Sequence, residues 1–120
     1  MLCLVVDDDS TIRTFVCAIA HAEGLETLEA PCGDDAFDAL RMLDGAVGLL
    51  VTDIQMPHGD GLSLARRVAA RFPHVRAILM SGYVEPEGGF EFVAKPFSWI
   101  TMRDALRRVL SRPPRAVVTP

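Results

Sequence analysis

Short, almost unbroken apolar runs alternate with stretches of helical periodicity along this 120-residue chain. Leu2 to Val6, Gly48 to Asp53 and Arg76 to Ser81 are the clearest runs, with Leu25 to Ala30 and Phe90 to Ala94 as two further strands. Between them lie helical patterns from Ser10 to Glu23, Gly33 to Leu43, Asp60 to Phe72 and Ser98 to Leu110. A strand that is apolar at successive rather than alternate positions must be covered on both faces, which parallel sheets achieve with crossover helices. The pattern therefore predicts an α/β domain, a doubly wound five-stranded parallel sheet. Helix punctuation agrees with it. Gly24 follows the first pattern, Gly45 the second and Pro73 the third, while Asp34 and Asp35 sit in a first turn where the helix dipole favours acids. Apolar stripes are expected at Ala36, Leu40 and Leu43, at Leu64, Ala65, Val68 and Phe72, and at Trp99, Met102, Leu106 and Val109, with Arg66, Arg67 and Arg71 outward.

In a parallel sheet the carboxyl ends of all strands share one edge, where open α/β sheets bind their ligands. That edge gathers Asp7, Asp8 and Asp9 after the first strand, Asp53 after the third, Ser81 after the fourth and Lys95 after the fifth. Taken alone, Asp53 before Ile54-Gln55-Met56-Pro57 reads more readily as a turn or cap residue than as a functional one. Together, several carboxylates in one place repel, and a hard divalent cation with oxygen ligands relieves them; Mg²⁺ fits. Mg²⁺ uses only one or two carboxylates, which leaves Asp53 an oxygen to offer as a nucleophile. A hydroxyl and an ammonium at neighbouring strand ends are suitable donors to phosphoryl oxygens. Lys95 is the only lysine among twelve basic residues, as suits a place for a compact point charge.

Composition excludes other classes. A net charge of −4 with dispersed arginines gives no basic face for nucleic acid, and Arg107, Arg108, Arg112 and Arg115 suit a helix C-terminus in any case. The longest apolar stretches, about six residues, fall short of the roughly twenty a membrane span needs, so a cytoplasmic protein is expected. Cys3, Cys17 and Cys32 lack metal-ligand spacing and read as buried or incidental thiols. His21, His58 and His74 have nothing that sets them up as ligands or bases. Asp9, beside Ser10, reads as serving the helix start.

Val5-Val6-Asp7-Asp8-Asp9, Asp53 with Met56-Pro57 and Asp60-Gly61-Leu62, Met80-Ser81-Gly82, and Lys95-Pro96-Phe97 together resemble the receiver domains of two-component response regulators. The elements occur in order from residue 2 to 110. The resemblance implies a flavodoxin-like, receiver topology with Asp53 as phosphoacceptor, and Mg²⁺ held by Asp8, by Asp7 largely through water, by Asp53 and by the Gln55 backbone carbonyl. It implies Ser81 as the switch hydroxyl, Lys95 as ion-pair partner of the phosphoryl group, a cis Lys95-Pro96 bond, Phe92 at the switch-aromatic position, and Gln55 and Tyr83 as flanking residues that tune phosphoryl loss. The phosphoryl donor would be a histidine kinase or histidine phosphotransfer protein, and the output protein is unknown. Residues 1–110 are expected to form a stand-alone receiver with no encoded output domain, followed by a flexible tail at 111–120. It would be no enzyme beyond catalysing its own phosphorylation and dephosphorylation.

Two points compete with or modify this expectation. Only thirteen residues separate Ser81 from Lys95, and Gly82 to Gly89 contains Pro86, Gly88 and Gly89, so the family's fourth helix is expected to be short or missing. Such a brief parallel crossover implies either an extended link or an irregular fifth strand. Asp7-Asp8-Asp9-Ser10-Thr11 also resembles the opening of haloacid-dehalogenase phosphatases, with Asp7 as nucleophile and Asp9 as acid/base. Those enzymes need a late acidic pair for Mg²⁺, and the only acid after Lys95 is Asp104. A degenerate receiver used only for binding is disfavoured because every chemical position is filled.

Overall fold

Along the first strand Cys3 and Val5 belong to one buried cluster and Leu4 and Val6 to another, all with no exposed surface. This is why the run is apolar at every position: the strand has a core on each side. The computed structural model describes residues 1–57, 59–83, 85–86 and 88–112. Its elements are β1 (Leu2–Val6), α1 (Ser10–Ala22), β2 (Glu26–Ala30), α2 (Gly33–Met42), β3 (Leu49–Asp53), β4 (Gln55–Met56), β5 (Gly59–Asp60), α3 (Gly61–Arg71), β6 (Arg76–Ser81), β7 (Glu91–Ala94) and α4 (Trp99–Ser111). Five strands pair in the order β2-β1-β3-β6-β7, each pair parallel. That order, with one reversal beside β1, is the flavodoxin-like doubly wound arrangement.

One core lies between the sheet and helices α1 and α4, where Val16, Ile19, Met102 and Leu106 meet Val5, Val51, Ile78 and Met80. The other lies under α2 and α3, where Leu40, Leu64, Val68 and Phe72 meet Leu4, Val6 and Leu50. Each large aliphatic side chain buried this way contributes about 1.5–3 kcal/mol. The helix starts carry side-chain caps: Asp9 accepts from the Thr11 amide, Asp60 from Ser63 and Ser98 from Thr101. Gly24, at φ 83°, turns the chain out of α1, and Gly45, at φ 72°, does the same after α2. Arg107 pairs with Glu23 while Arg108 and Arg112 both pair with Glu91, so the basic end of α4 ties that helix to its neighbours.

Three local expectations change. Leu43 lies just past α2 and is 38% exposed, because the helix ends one residue earlier and the buried stripe there is Ala36 and Leu40. Trp99 opens α4 and is 39% exposed, leaning edge-on against Phe15 rather than entering the core. The expected tail at 111–120 loses its first residue to α4, and from residue 113 onward it lies outside the described residues, as does Arg115.

The short crossover resolves in favour of a regular strand. β7 pairs with β6 in unbroken parallel register, Ile78 with Glu91 through Ser81 with Ala94. No helix occurs between Ser81 and Glu91 among the described residues. Gly88 and Gly89 adopt φ of 119° and 73°, backbone that side-chain-bearing residues rarely adopt.

Candidate functional site

Each strand delivers one part of the site. β1 ends at Val6, and the next residue, Asp7, is fully buried with its amide on the Ala30 carbonyl. Its Oδ1 accepts from the Asp9 amide at 2.9 Å, and Arg13 Nη1 donates to its carbonyl at 2.6 Å. Asp8, next in line, is exposed. Asp53 closes β3 at 5% exposure. Carboxylate oxygens of Asp7, Asp8 and Asp53 all lie within 4.8 Å of one another. That is the all-oxygen donor set a hard divalent cation takes, so the residues fit a metal of that kind.

Lys95 answers the buried pair from the far strand. Its amide donates to the Ser81 carbonyl, extending the β6–β7 ladder by one bond, and its Nζ lies 2.8 Å from Asp7 Oδ2 and 3.2 Å from Asp53 Oδ1. The Lys95-Pro96 peptide bond is cis. Burial, followed by the charge of Asp7, pushes the Asp53 carboxyl above its ordinary value, with Lys95 opposing both. For Lys95 burial works against the charge, but the hydrogen bond and charge of Asp7 and the charge of Asp53 outweigh it and carry the ammonium above the usual lysine value. The pocket thus holds a fixed cation beside two buried carboxylates.

Ser81, wholly buried at the end of β6, donates its hydroxyl to Gln55 Oε1 at 2.7 Å and accepts from the Tyr83 amide at 3.0 Å. Gln55 opens the two-residue antiparallel ladder β4–β5, pairing with Asp60. This hairpin keeps the chain beside the sheet edge after Asp53. The Tyr83 ring is 75% exposed, and Phe92 is half-buried on β7 opposite Leu79.

Parallel topology accounts for the convergence of Asp7, Asp8, Asp53, Ser81 and Lys95. Asp9 stands apart: exposed, its Oδ1 caps α1. His21 is exposed and bonded to Thr27, His74 reaches the Gly45 carbonyl away from the edge, and His58 lies outside the described residues. Arg13 was not among the residues expected here. It bridges the Asp7 carbonyl and Glu29, at 3.2 Å, and its only sequence signal is a position one helical turn after Asp9. The Gln55 side-chain contact with Ser81 was likewise not foreseen.

Several known proteins are similar to this chain in sequence or fold. The chain is 29% identical to sporulation initiation phosphotransferase F of Bacillus subtilis (strain 168), over 89% of this chain and 91% of that protein. It is 28% identical to the sensor kinase CckA of Brucella abortus (strain 2308), over 91% of this chain but only 12% of CckA's length. The crystal structure of the receiver domain from the hybrid histidine kinase CckA superposes with a TM-score of 0.82 at 28% identity, covering 92% of this chain and all of that one. The family model described as the response regulator receiver domain matches residues 3–107, nearly all of the described chain, so this chain belongs to the response regulator receiver domain family.

Proposed function

We propose that Asp53 is the phosphoacceptor of this receiver, taking a phosphoryl group from a phosphohistidine of a histidine kinase or histidine phosphotransfer protein. The observation that carries the reading is the position of Asp53: a nearly buried carboxylate at the end of the central strand, with Lys95 Nζ 3.2 Å from Oδ1 and two further carboxylates within 4.8 Å. An Asp53 oxygen attacks phosphorus in line, the P–N bond to the imidazole breaks as the O–P bond forms, and the imidazole keeps the electron pair. Lys95, already charged and fixed, neutralises charge on the transferring group without reorganising. Asp7 holds Lys95 in place, and the Arg13 hydrogen bond holds the Asp7 backbone. Asp7, Asp8, Asp53 and the Gln55 backbone carbonyl would hold Mg²⁺. When bound, Mg²⁺ supplies positive charge against the phosphoryl oxygens and offsets the repulsion among the carboxylates.

Ser81 serves as the switch hydroxyl, with Phe92 as the aromatic that responds and Gln55 and Tyr83 at the mouth tuning loss of the phosphoryl group. The protein acts on no substrate but its own aspartate. The described residues contain no helix long and apolar enough to cross a membrane; in this reading the receiver, residues 1–110, meets its phosphohistidine partner in the cytoplasm. The phosphatase reading gains nothing from the geometry, because its acid/base, Asp9, is occupied as a helix cap. Incubation with radiolabelled acetyl phosphate and Mg²⁺ tests the proposal. Label should enter the wild type and be lost in Asp53→Asn, and a variant that still took up label would remove Asp53 from the role.

A further inference from the structure

The geometry points to Gln55 as a latch: in the resting protein its side-chain carbonyl holds the one proton that Ser81 would have to give to a phosphoryl group. The inference rests on Asp53 being the phosphoacceptor and adds what sets the threshold of the switch. A serine hydroxyl has one proton and two lone pairs. Ser81 Oγ already accepts from the Tyr83 amide at 3.0 Å, and it lies 2.7 Å from Gln55 Oε1 with no exposed surface of its own. Were the Gln55 amide turned to present its nitrogen, Oγ would receive two donors and its own buried proton would lose the acceptor it has among the described residues, which is costly. The proton is therefore committed to Gln55.

The backbone makes that commitment specific. Gln55 stands two residues beyond Asp53, and its pairing with Asp60 in the β4–β5 ladder anchors it opposite Ser81, twenty-six residues away in sequence. A phosphoryl oxygen on Asp53 competes for the same hydroxyl, so Ser81 cannot turn to it without giving up Gln55. Gln55 is otherwise exposed, and water can satisfy its amide once released. The latch thus opposes the switch without preventing it. In this role the Gln55 side chain is a positioning group, acting on the acyl phosphate through Ser81, apart from the metal-holding role proposed for its backbone carbonyl.

The test is the binding of beryllofluoride, a phosphoryl mimic, with Mg²⁺ to wild type, Gln55→Met, Ser81→Ala and the double variant. Methionine keeps the length of the side chain and removes the acceptor. Loss of one hydrogen bond predicts about two- to tenfold tighter binding by Gln55→Met, and no such gain when Ser81 is already alanine. A readout independent of the loaded site is the ¹⁵N–¹H resonance of the Gln55 side-chain amide and of the Tyr83 backbone amide in the unliganded protein, both of which should shift in Ser81→Ala. Equal binding by wild type and Gln55→Met, a gain that survives in the double variant, or unmoved amide resonances would each overturn the latch. A wild type that neither binds beryllofluoride nor takes label from acetyl phosphate would instead overturn the Asp53 assignment beneath it.

Discussion

Cys3 in β1 and Asp7 just past its end are both fully buried, and they differ in what lies beside them. Asp7 has the Lys95 ammonium at 2.8 Å, whereas Cys3 is surrounded by hydrocarbon. Burial, with a smaller contribution from Cys17, pushes the Cys3 thiol up to about 12 from 9.0. The sign of the linkage follows. Above pH 9 the unfolded chain releases this proton while the folded chain keeps it, so the native state binds more protons and stability falls as pH rises towards 12. Below pH 9 both states hold the proton and the effect vanishes. Urea unfolding from pH 8 to pH 11 should show stability declining by up to about 1.4 kcal/mol per pH unit from this thiol, and Cys3→Ala should flatten that part of the slope. In the same folded protein at pH 8, iodoacetamide should modify half-buried Cys32 well before Cys3, as mass spectrometry would show. The sequence read these cysteines as buried or incidental thiols, Cys3 within an apolar run and Cys32 in a Pro-Cys-Gly turn; how completely each is covered needed the fold.

Helix α3 shows what an element-level reading captures and what it leaves out. Asp60-Gly61-Leu62 announces a helix start, and Asp60 indeed caps it by accepting from the Ser63 amide at 2.6 Å. The glycine's reason is invisible in the pattern. Gly61 donates its amide to the Ile54 carbonyl, and a Cβ there would overlap the Asp53 carbonyl oxygen and press on Thr52 Oγ1. Gly61 is therefore required for close approach, with α3 seated directly on the backbone of Asp53. Gly61→Ala should cost about 1–3 kcal/mol in chemical denaturation, as overpacking does, and should slow acetyl phosphate labelling because relief of the clash moves Asp53. Asp60→Ala removes only the cap, about 1 kcal/mol, and should leave labelling largely intact. If the two variants lost stability and labelling in the same proportion, the contact at Gly61 would have no special bearing on the site. The same limit applies to Trp99 and Leu43, whose spacing placed them on apolar stripes: periodicity assigns a face of the helix but not where the helix ends, and both lie at or just past a helix end and stay exposed.

Across the molecule, topology was legible and side-chain geometry was not. Solid apolar runs implied a two-faced parallel sheet, and a parallel sheet brings Asp7, Asp53, Ser81 and Lys95 to one edge whatever their rotamers. The Gln55 contact with Ser81 depends on a rotamer and on a two-residue hairpin that nothing in Gln55-Met56-Pro57 signals. The scarcity of residues between Ser81 and Lys95 was legible too, and it bears on how a change at Asp53 travels. β1 and β3 are buried on both faces, so they yield little. Ser81, however, is followed directly by the segment 82–90, which carries no helix among its described residues and then enters the edge strand β7 with Phe92. A displacement of Ser81 has its readiest outlet along that path. Hydrogen exchange of the wild type with and without Mg²⁺ and beryllofluoride should therefore change most at residues 55 and 82–94. Exchange in β1, β2 and α2 should stay within error. Uniform protection across the sheet, or the largest change in α2, would mean that the whole fold responds to the phosphoryl group and the short crossover is not its route.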